Sequence, residues 1–193
     1  MPRAKAFDTQ ETLDRAIACF KRYGYSGASM SILTDEMRIG RQSLYATYGD
    51  KRALYLAALE EYAGVTAEYV EERLRSADRP LDAIRSLLRD VATLASTPGY
   101  RHGCFLVNST AELASNDEEV REVVSRGFAR IERAYYQALR RALASGELAR
   151  DKSPLSVARF LVAQMQSIRV IAKTRASRRA LTDVVETALT CLE

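Results

Sequence analysis

Apolar residues recur every three or four positions along nearly the whole chain, and no pair of alternating stretches suggests a strand hairpin. The pattern predicts an all-α protein of about nine helices. A first helix starts at Asp8, which stands three residues before Glu11 in a spacing like that of a capping box; its stripe is Leu13, Ile17 and Phe20, and Gly24 or Gly27 ends it. Ser29 caps a short second helix that buries Met30, Leu33 and Met37, Ile39-Gly40 breaks it, and Arg41 to Tyr48 supplies a third with Leu44 facing inward. Two short helices across a tight turn make a helix-turn-helix. Asp50 caps a fourth helix that reaches about Leu74.

RSADRP, residues 75–80, reads as a linker, with a hinge near Ser76–Pro80. LDAIRSLLRDVATLAS then gives a fifth helix, stopped by Thr97-Pro98-Gly99, and GCFLVNSTAELAS a sixth. Asn116-Asp117 opens a long seventh helix to about Ser145-Gly146, striped by Val120, Val124, Phe128, Ile131, Tyr135, Ala138 and Ala142. Ser153-Pro154 introduces an eighth helix through about Lys173, and a ninth from about Ser177 carries Leu181, Val184, Val185, Ala188 and Leu192. The division expected is 1–52 for the helix-turn-helix domain, a connecting helix over about 50–74, and a larger helical domain over 75–193.

The short third helix raises the question of chemistry. In a helix-turn-helix the N-terminal end of the second helix meets base edges in the major groove, which here means Arg41 and Gln42 with Ser43 beside them. Arginine pairs with two acceptors on guanine and glutamine with the adenine edge, each good pair giving about 1–3 kcal/mol of discrimination. Tyr45 lies one turn beyond Arg41, so its ring reaches a base or a thymine methyl and its hydroxyl a phosphate; Thr47 is small enough for the groove wall. Tyr48 follows, and Lys51 at the start of the fourth helix and Ser29 at the start of the second are placed to hold backbone phosphates.

Composition narrows this reading without replacing it. With 193 residues, 47% hydrophobic and 28% charged, the chain has the balance of a globular protein with a real core. Its formal charge of +4 permits a polyanionic partner without demanding one. Cys19, Cys104 and Cys191 are odd in number and far apart, which fits a reducing cytoplasm, and no uninterrupted apolar stretch or leader pattern points to a membrane or to secretion. One histidine, no nucleophile elbow, no phosphate-binding glycine loop and no paired carboxylates leave an enzyme without support, and neither cofactor nor metal is expected. His102 and Cys104 are two ligands at most, too few for structural zinc.

ASMSILTDEM, IGRQSLYATYGDKRALYLAAL and the preceding FKRYGYSG resemble the TetR family of bacterial transcriptional repressors over positions 8–60. GCFLVNSTAELA, residues 103–114, is similar to a segment of one subgroup of that family. The resemblance implies a homodimer whose first three helices bind an operator and whose larger domain holds a ligand pocket. By the family pattern Arg41, Gln42 and Tyr45 read bases, Ser29, Ser43, Tyr48 and Lys51 hold phosphates, and Thr47 belongs to either group. The chain departs from the pattern at the turn, where many members have glycine at the position of Arg38 and a polar cap at that of Gly40; a turn shifted by one residue would avoid a left-handed arginine.

In the larger domain Asn108, Tyr135, Gln164 and Gln166 interrupt apolar faces and, with Cys104, are the expected polar fixtures of a pocket for an uncharged or weakly polar effector; helix–helix hydrogen bonds or plain exposure account for each of them equally. The last two helices are expected to form the dimer interface, so that two reading units about 34–36 Å apart meet a palindrome. The function expected is a repressor released from double-stranded operator DNA by a small molecule. A redox- or thiol-sensing regulator on the same fold, or a helical adaptor without specific DNA binding, are the alternatives.

Overall fold

The computed structural model describes residues 8–174 and 176–193. Its helices are α1 (Thr9–Gly27), α2 (Met30–Met37), α3 (Arg41–Tyr48), α4 (Lys51–Arg75), α5 (Pro80–Ala95), α6 (Phe105–Glu112), α7 (Glu118–Ser145), α8 (Pro154–Ala172) and α9 (Arg178–Leu189), with short 3-10 turns at Pro98–Tyr100 and Thr190–Leu192. Among the described residues there is no strand. The caps read from sequence at Asp8, Ser29, Asp50 and Ser153 hold, and Asp117 and Ser177, expected only as helix starts, are caps as well: each of the six accepts a backbone N–H in the first turn of the helix that follows.

Two buried clusters divide the molecule, and the division does not follow chain order. One joins Phe20, Leu33, Leu44, Leu54, Tyr55 and Leu59 to Cys104, Phe105, Leu106, Val120 and Val124, so α6 and the first turns of α7 pack with the helix-turn-helix. The other gathers the second half of α4 with α5, α7, α8 and α9 around Ile84, Leu88, Ile131, Tyr135, Leu161 and Ile168. Two long helices, α4 and α7, run through both clusters. Phe20, Tyr55 and Phe105 meet edge-on or stacked, with the Tyr55 ring 4.9 Å from Phe20 and 5.3 Å from Phe105, which ties α1, α4 and α6 together.

Both glycines offered for the end of α1 matter, for different reasons. Gly24 turns at φ 71 and kinks the helix, which then resumes to Gly27. The kink frees the N–H groups of Tyr25 and Ser26, and both donate to the Glu112 carboxylate at 3.0 and 2.9 Å. The last residue of α6 therefore caps the broken turn of α1, a long-range partner that helical periodicity does not reveal. By length and apolarity α8 meets the measure of a membrane-crossing helix, but polar residues interrupt it, and its Leu161, Met165 and Ile168 face the second cluster.

Candidate nucleic-acid interface and a buried polar cluster

The turn before α3 keeps the unshifted register. Arg38 adopts φ 55 and ψ 39, and the N–H of Ile39 returns to the carbonyl of Thr34 at 3.2 Å. The left-handed arginine is strained by about 1–2 kcal/mol. Ile39 is buried just beyond it, and this anchors the turn. Gly40 serves as N-cap with no side chain to offer, so the first N–H groups of α3 have no side-chain cap.

Leu44, fully buried, holds α3 to its neighbours. Arg41, Gln42 and Tyr45 lie on the exposed side, while Ser43 and Thr47 are half-buried. Tyr45 is 46% exposed, a large aromatic left in solvent on the same side as Arg41 and Gln42. Ser29 accepts the N–H of Ile32 at 3.2 Å and so caps α2.

Two of the expected phosphate holders also have partners inside the chain. The Tyr48 hydroxyl donates to the carbonyl of Thr9 at 3.4 Å, and burial raises its pKa. The Lys51 ammonium lies 4.5 Å over the Tyr25 ring, a cation–π contact that pins the start of α4 to the kinked end of α1.

The expected pocket residues fall into three places. Cys104 and Tyr135 are buried close to one side chain that sequence reasoning did not single out, Arg169. Asn108 sits at the rim, donating to the carbonyl of His102 at 2.8 Å and accepting from Lys173 Nζ at 3.0 Å. Gln164 faces away, in a shallow groove with Phe160, Asp183 and Val184 between α8 and α9. Gln166 is half-buried and has no side-chain hydrogen bond among the described residues.

Arg169 is 9% exposed. Its Nη1 lies 3.6 Å from Cys104 Sγ, and the Tyr62 hydroxyl donates to the same sulfur at 3.6 Å. Tyr100 and Tyr135 complete the surroundings, and both hydroxyls are buried without a hydrogen-bond partner among the described residues. Burial pushes the Tyr100 phenol up to about 12 and raises those of Tyr62 and Tyr135. A signal for Arg169 was present in sequence: Leu161, Met165 and Arg169 stand at i, i+4 and i+8, so the arginine continues a core stripe.

A helix-turn-helix that buries one leucine of its second helix and leaves that helix's polar N-terminal end outward, joined to a larger helical domain, defines a DNA-binding regulator. Comparison with known proteins agrees. The model for bacterial regulatory proteins of the tetR family matches residues 13–58, and that for the tetracyclin repressor-like C-terminal domain matches residues 80–188. The chain belongs to the TetR family and is a transcriptional regulator, not an enzyme.

It is 36% identical to the uncharacterized HTH-type transcriptional regulator YezE of Bacillus subtilis over the full length of both chains. It is 26% identical to the HTH-type transcriptional repressor ComR of Escherichia coli, over 97% of this chain and 90% of that one. Among solved structures, a cysteine mutant of the TetR family regulator CifR complexed with 26-base-pair operator DNA superposes with a TM-score of 0.87 at 32% identity, covering 99% of this chain and all of the other. The reduced form of NemR of Escherichia coli shares the fold, with a TM-score of 0.84 at 21% identity over 95% and 96% of the two chains.

Proposed function

We propose that the protein is a cytoplasmic homodimeric repressor that occupies a palindromic operator through α3 and leaves it when a small molecule binds among the C-terminal helices. The observation that carries this reading is the outward set Arg41, Gln42 and Tyr45 on a helix fixed by the buried Leu44. Arg41 and Gln42 read base edges, Tyr45 a base or a thymine methyl, and Ser29, Ser43, Thr47, Tyr48 and Lys51 position the backbone. Leu155, Phe160 and Val170 of α8 are exposed apolar residues, and with the groove along α9 they supply the face on which a second copy packs. Gln164 belongs to that face.

Release runs through α6. Its N-cap, Cys104, touches the buried cluster; its middle binds α4, where the Tyr55 and Ser109 hydroxyls are 2.7 Å apart; its last residue, Glu112, caps the kink in α1. A ligand that favours a displaced α6 shifts α1 and α4 together and changes the separation of the two reading helices, by as much as its affinities for the two states differ. Selection of bound fragments from random duplex DNA tests the reading. A shared palindrome with half-sites about one helical turn apart is expected, and recovery of no common sequence would remove it.

A second reading has one observation in its favour, the Arg169 guanidinium and the Tyr62 hydroxyl both at 3.6 Å from Cys104 Sγ, two polar groups that meet on the one sulfur. In that case oxidation or alkylation of Cys104 replaces the effector. Treatment with peroxide would then lower operator affinity in the parent protein and leave Cys104→Ser unaffected.

A further inference from the structure

A guanidinium remains charged at any ordinary pH, and leaving that charge inside a protein without an anion costs several kcal/mol. Most of the arginines whose side-chain partners are on view here solve this with a carboxylate: Arg52 with Asp117 and Glu119, Arg89 with Glu186, Arg130 with Glu71. Arg169 is far more deeply buried than any of these, and no Asp or Glu among the described residues lies within ion-pair distance of it. What surrounds it instead is one thiol and three phenols.

Two of those phenols, Tyr100 and Tyr135, have buried hydroxyls with no hydrogen-bond partner among the described residues. An unmade hydrogen bond at a buried donor costs about 1–3 kcal/mol, so two such hydroxyls beside a buried arginine that lacks a carboxylate describe a place completed by something else. That missing group must carry negative charge for Arg169 and several acceptor lone pairs for the hydroxyls. A carboxylate has both: two oxygens that match the guanidinium fork and enough lone pairs for phenols at the same time.

The approach to the cluster has the matching sign. His102, two residues before Cys104, has its pKa lowered by burial and then by Arg101, Arg22, Lys21 and Lys173; of these cations Arg22 is paired with Glu36, and Lys21 lies 5.6 Å over the Tyr62 ring. Lys173 reaches across the rim to Asn108 at 3.0 Å. Cations so placed raise the local concentration of anions. Cys104 Sγ lies 3.6 Å from both Arg169 and Tyr62, and this close packing limits the ligand to a few heavy atoms.

We propose that Arg169, Tyr62, Tyr100 and Tyr135 form a binding site for a short-chain monocarboxylate, held by its carboxylate on the Arg169 guanidinium with Cys104 against its chain. This deepens the reading that a small molecule binds among the C-terminal helices, and it rests on that reading for its link to DNA. It differs from the uncharged effector that the polar residues of the sequence suggested.

The test uses the full-length protein titrated calorimetrically with formate, acetate, propionate and butyrate, with acetamide, propionamide and butyramide as neutral matches and with inorganic phosphate. At least one carboxylate should bind, at least 100-fold tighter than its amide and tighter than phosphate. Arg169→Met should lose at least 10-fold in that affinity while melting no lower than the parent, because an unpaired buried charge has been replaced by an apolar chain of similar length. In the parent the bound carboxylate should slow alkylation of Cys104 by iodoacetamide, read by peptide mass spectrometry.

Absence of binding by every carboxylate, equal binding of the amides, preference for phosphate, or binding retained in Arg169→Met would each overturn the proposal. If Arg169→Met fails to fold, Tyr135→Phe and Tyr100→Phe serve in its place, and unchanged affinity in both overturns it equally. Operator binding is measured separately. A carboxylate that binds and leaves operator affinity untouched upholds the site and removes the release mechanism, whereas a protein that selects no operator and still binds the carboxylate removes the repressor reading alone.

Discussion

The helices α3 and α6 are each eight residues long, and they are used in opposite ways. In α3 a single side chain, Leu44, is buried, and most of the polar surface is turned outward. In α6 Phe105, Leu106 and Ser109 are buried, the N-cap Cys104 is buried too, and Glu112 at the far end caps another helix. A helix that reads a partner needs one strong anchor and a free face; a helix that carries a signal needs fixed contacts at both ends. The contrast predicts that α3 tolerates change everywhere except at its anchor, and that α6 tolerates little change anywhere.

The largest expected effect follows from the anchor. Leu44→Ala removes a fully buried side chain and should cost about 2–5 kcal/mol of stability, measured by urea unfolding, together with loss of operator binding. A cost below about 1 kcal/mol would mean that α3 is held by its polar ends, and the comparison with α6 would lose its basis.

On the free face the effects should be functional and not structural. Arg41→Ala should leave stability within about 0.5 kcal/mol and reduce discrimination at one base position of each half-site by about 1–3 kcal/mol. Lys51→Ala should instead weaken all sequences alike and lower the salt slope by about one unit. Because Lys51 also sits over the Tyr25 ring, a small loss of stability should accompany its change. Uniform loss from both substitutions would show that Arg41 holds a phosphate and does not read a base.

For α6 the decisive residue is Glu112. Glu112→Ala leaves the Tyr25 and Ser26 N–H groups to water and should cost about 1–2 kcal/mol, since both bonds have a charged acceptor but lie at an exposed site. Operator affinity should change little, while the response of DNA binding to an effector should weaken, because α1 no longer follows α6. A full effector response in this variant would place the coupling in α4 alone, through Tyr55 and Ser109.

How much of this could be read from the chain depends on the distance over which each feature is decided. The caps, the helices and the outward side of α3 are set by neighbours within four residues, and Asp8, Ser29, Asp50, Asp117 and Ser177 signalled them correctly. The capping of Tyr25 by Glu112 joins positions 87 residues apart and leaves no periodic trace. Arg169 stands between these extremes: its place on the stripe of Leu161 and Met165 marks it as inward-facing, but an arginine is expected outside, and only packing shows that no carboxylate among the described residues meets it. Gln164 shows the converse, a polar residue on an apolar helix that faces the α9 groove and not the interior.

The smallest expected effect tests whether the turn in front of α3 is as firm as the helix itself. Arg38 is held at φ 55, a conformation that costs an arginine about 1–2 kcal/mol and glycine nothing, while a glycine there loses about 0.4–1 kcal/mol more chain entropy on folding. Arg38→Gly should therefore stabilise the protein by about 0.5–1 kcal/mol in urea unfolding. Base preference at the position read by Arg41 should stay as it was, since the Thr34–Ile39 closure and the buried Ile39 fix where α3 begins whichever residue occupies the turn. A gain in stability accompanied by a changed preference would mean that arginine had displaced the register after all, and that α3 owes its orientation to the turn more than to Leu44.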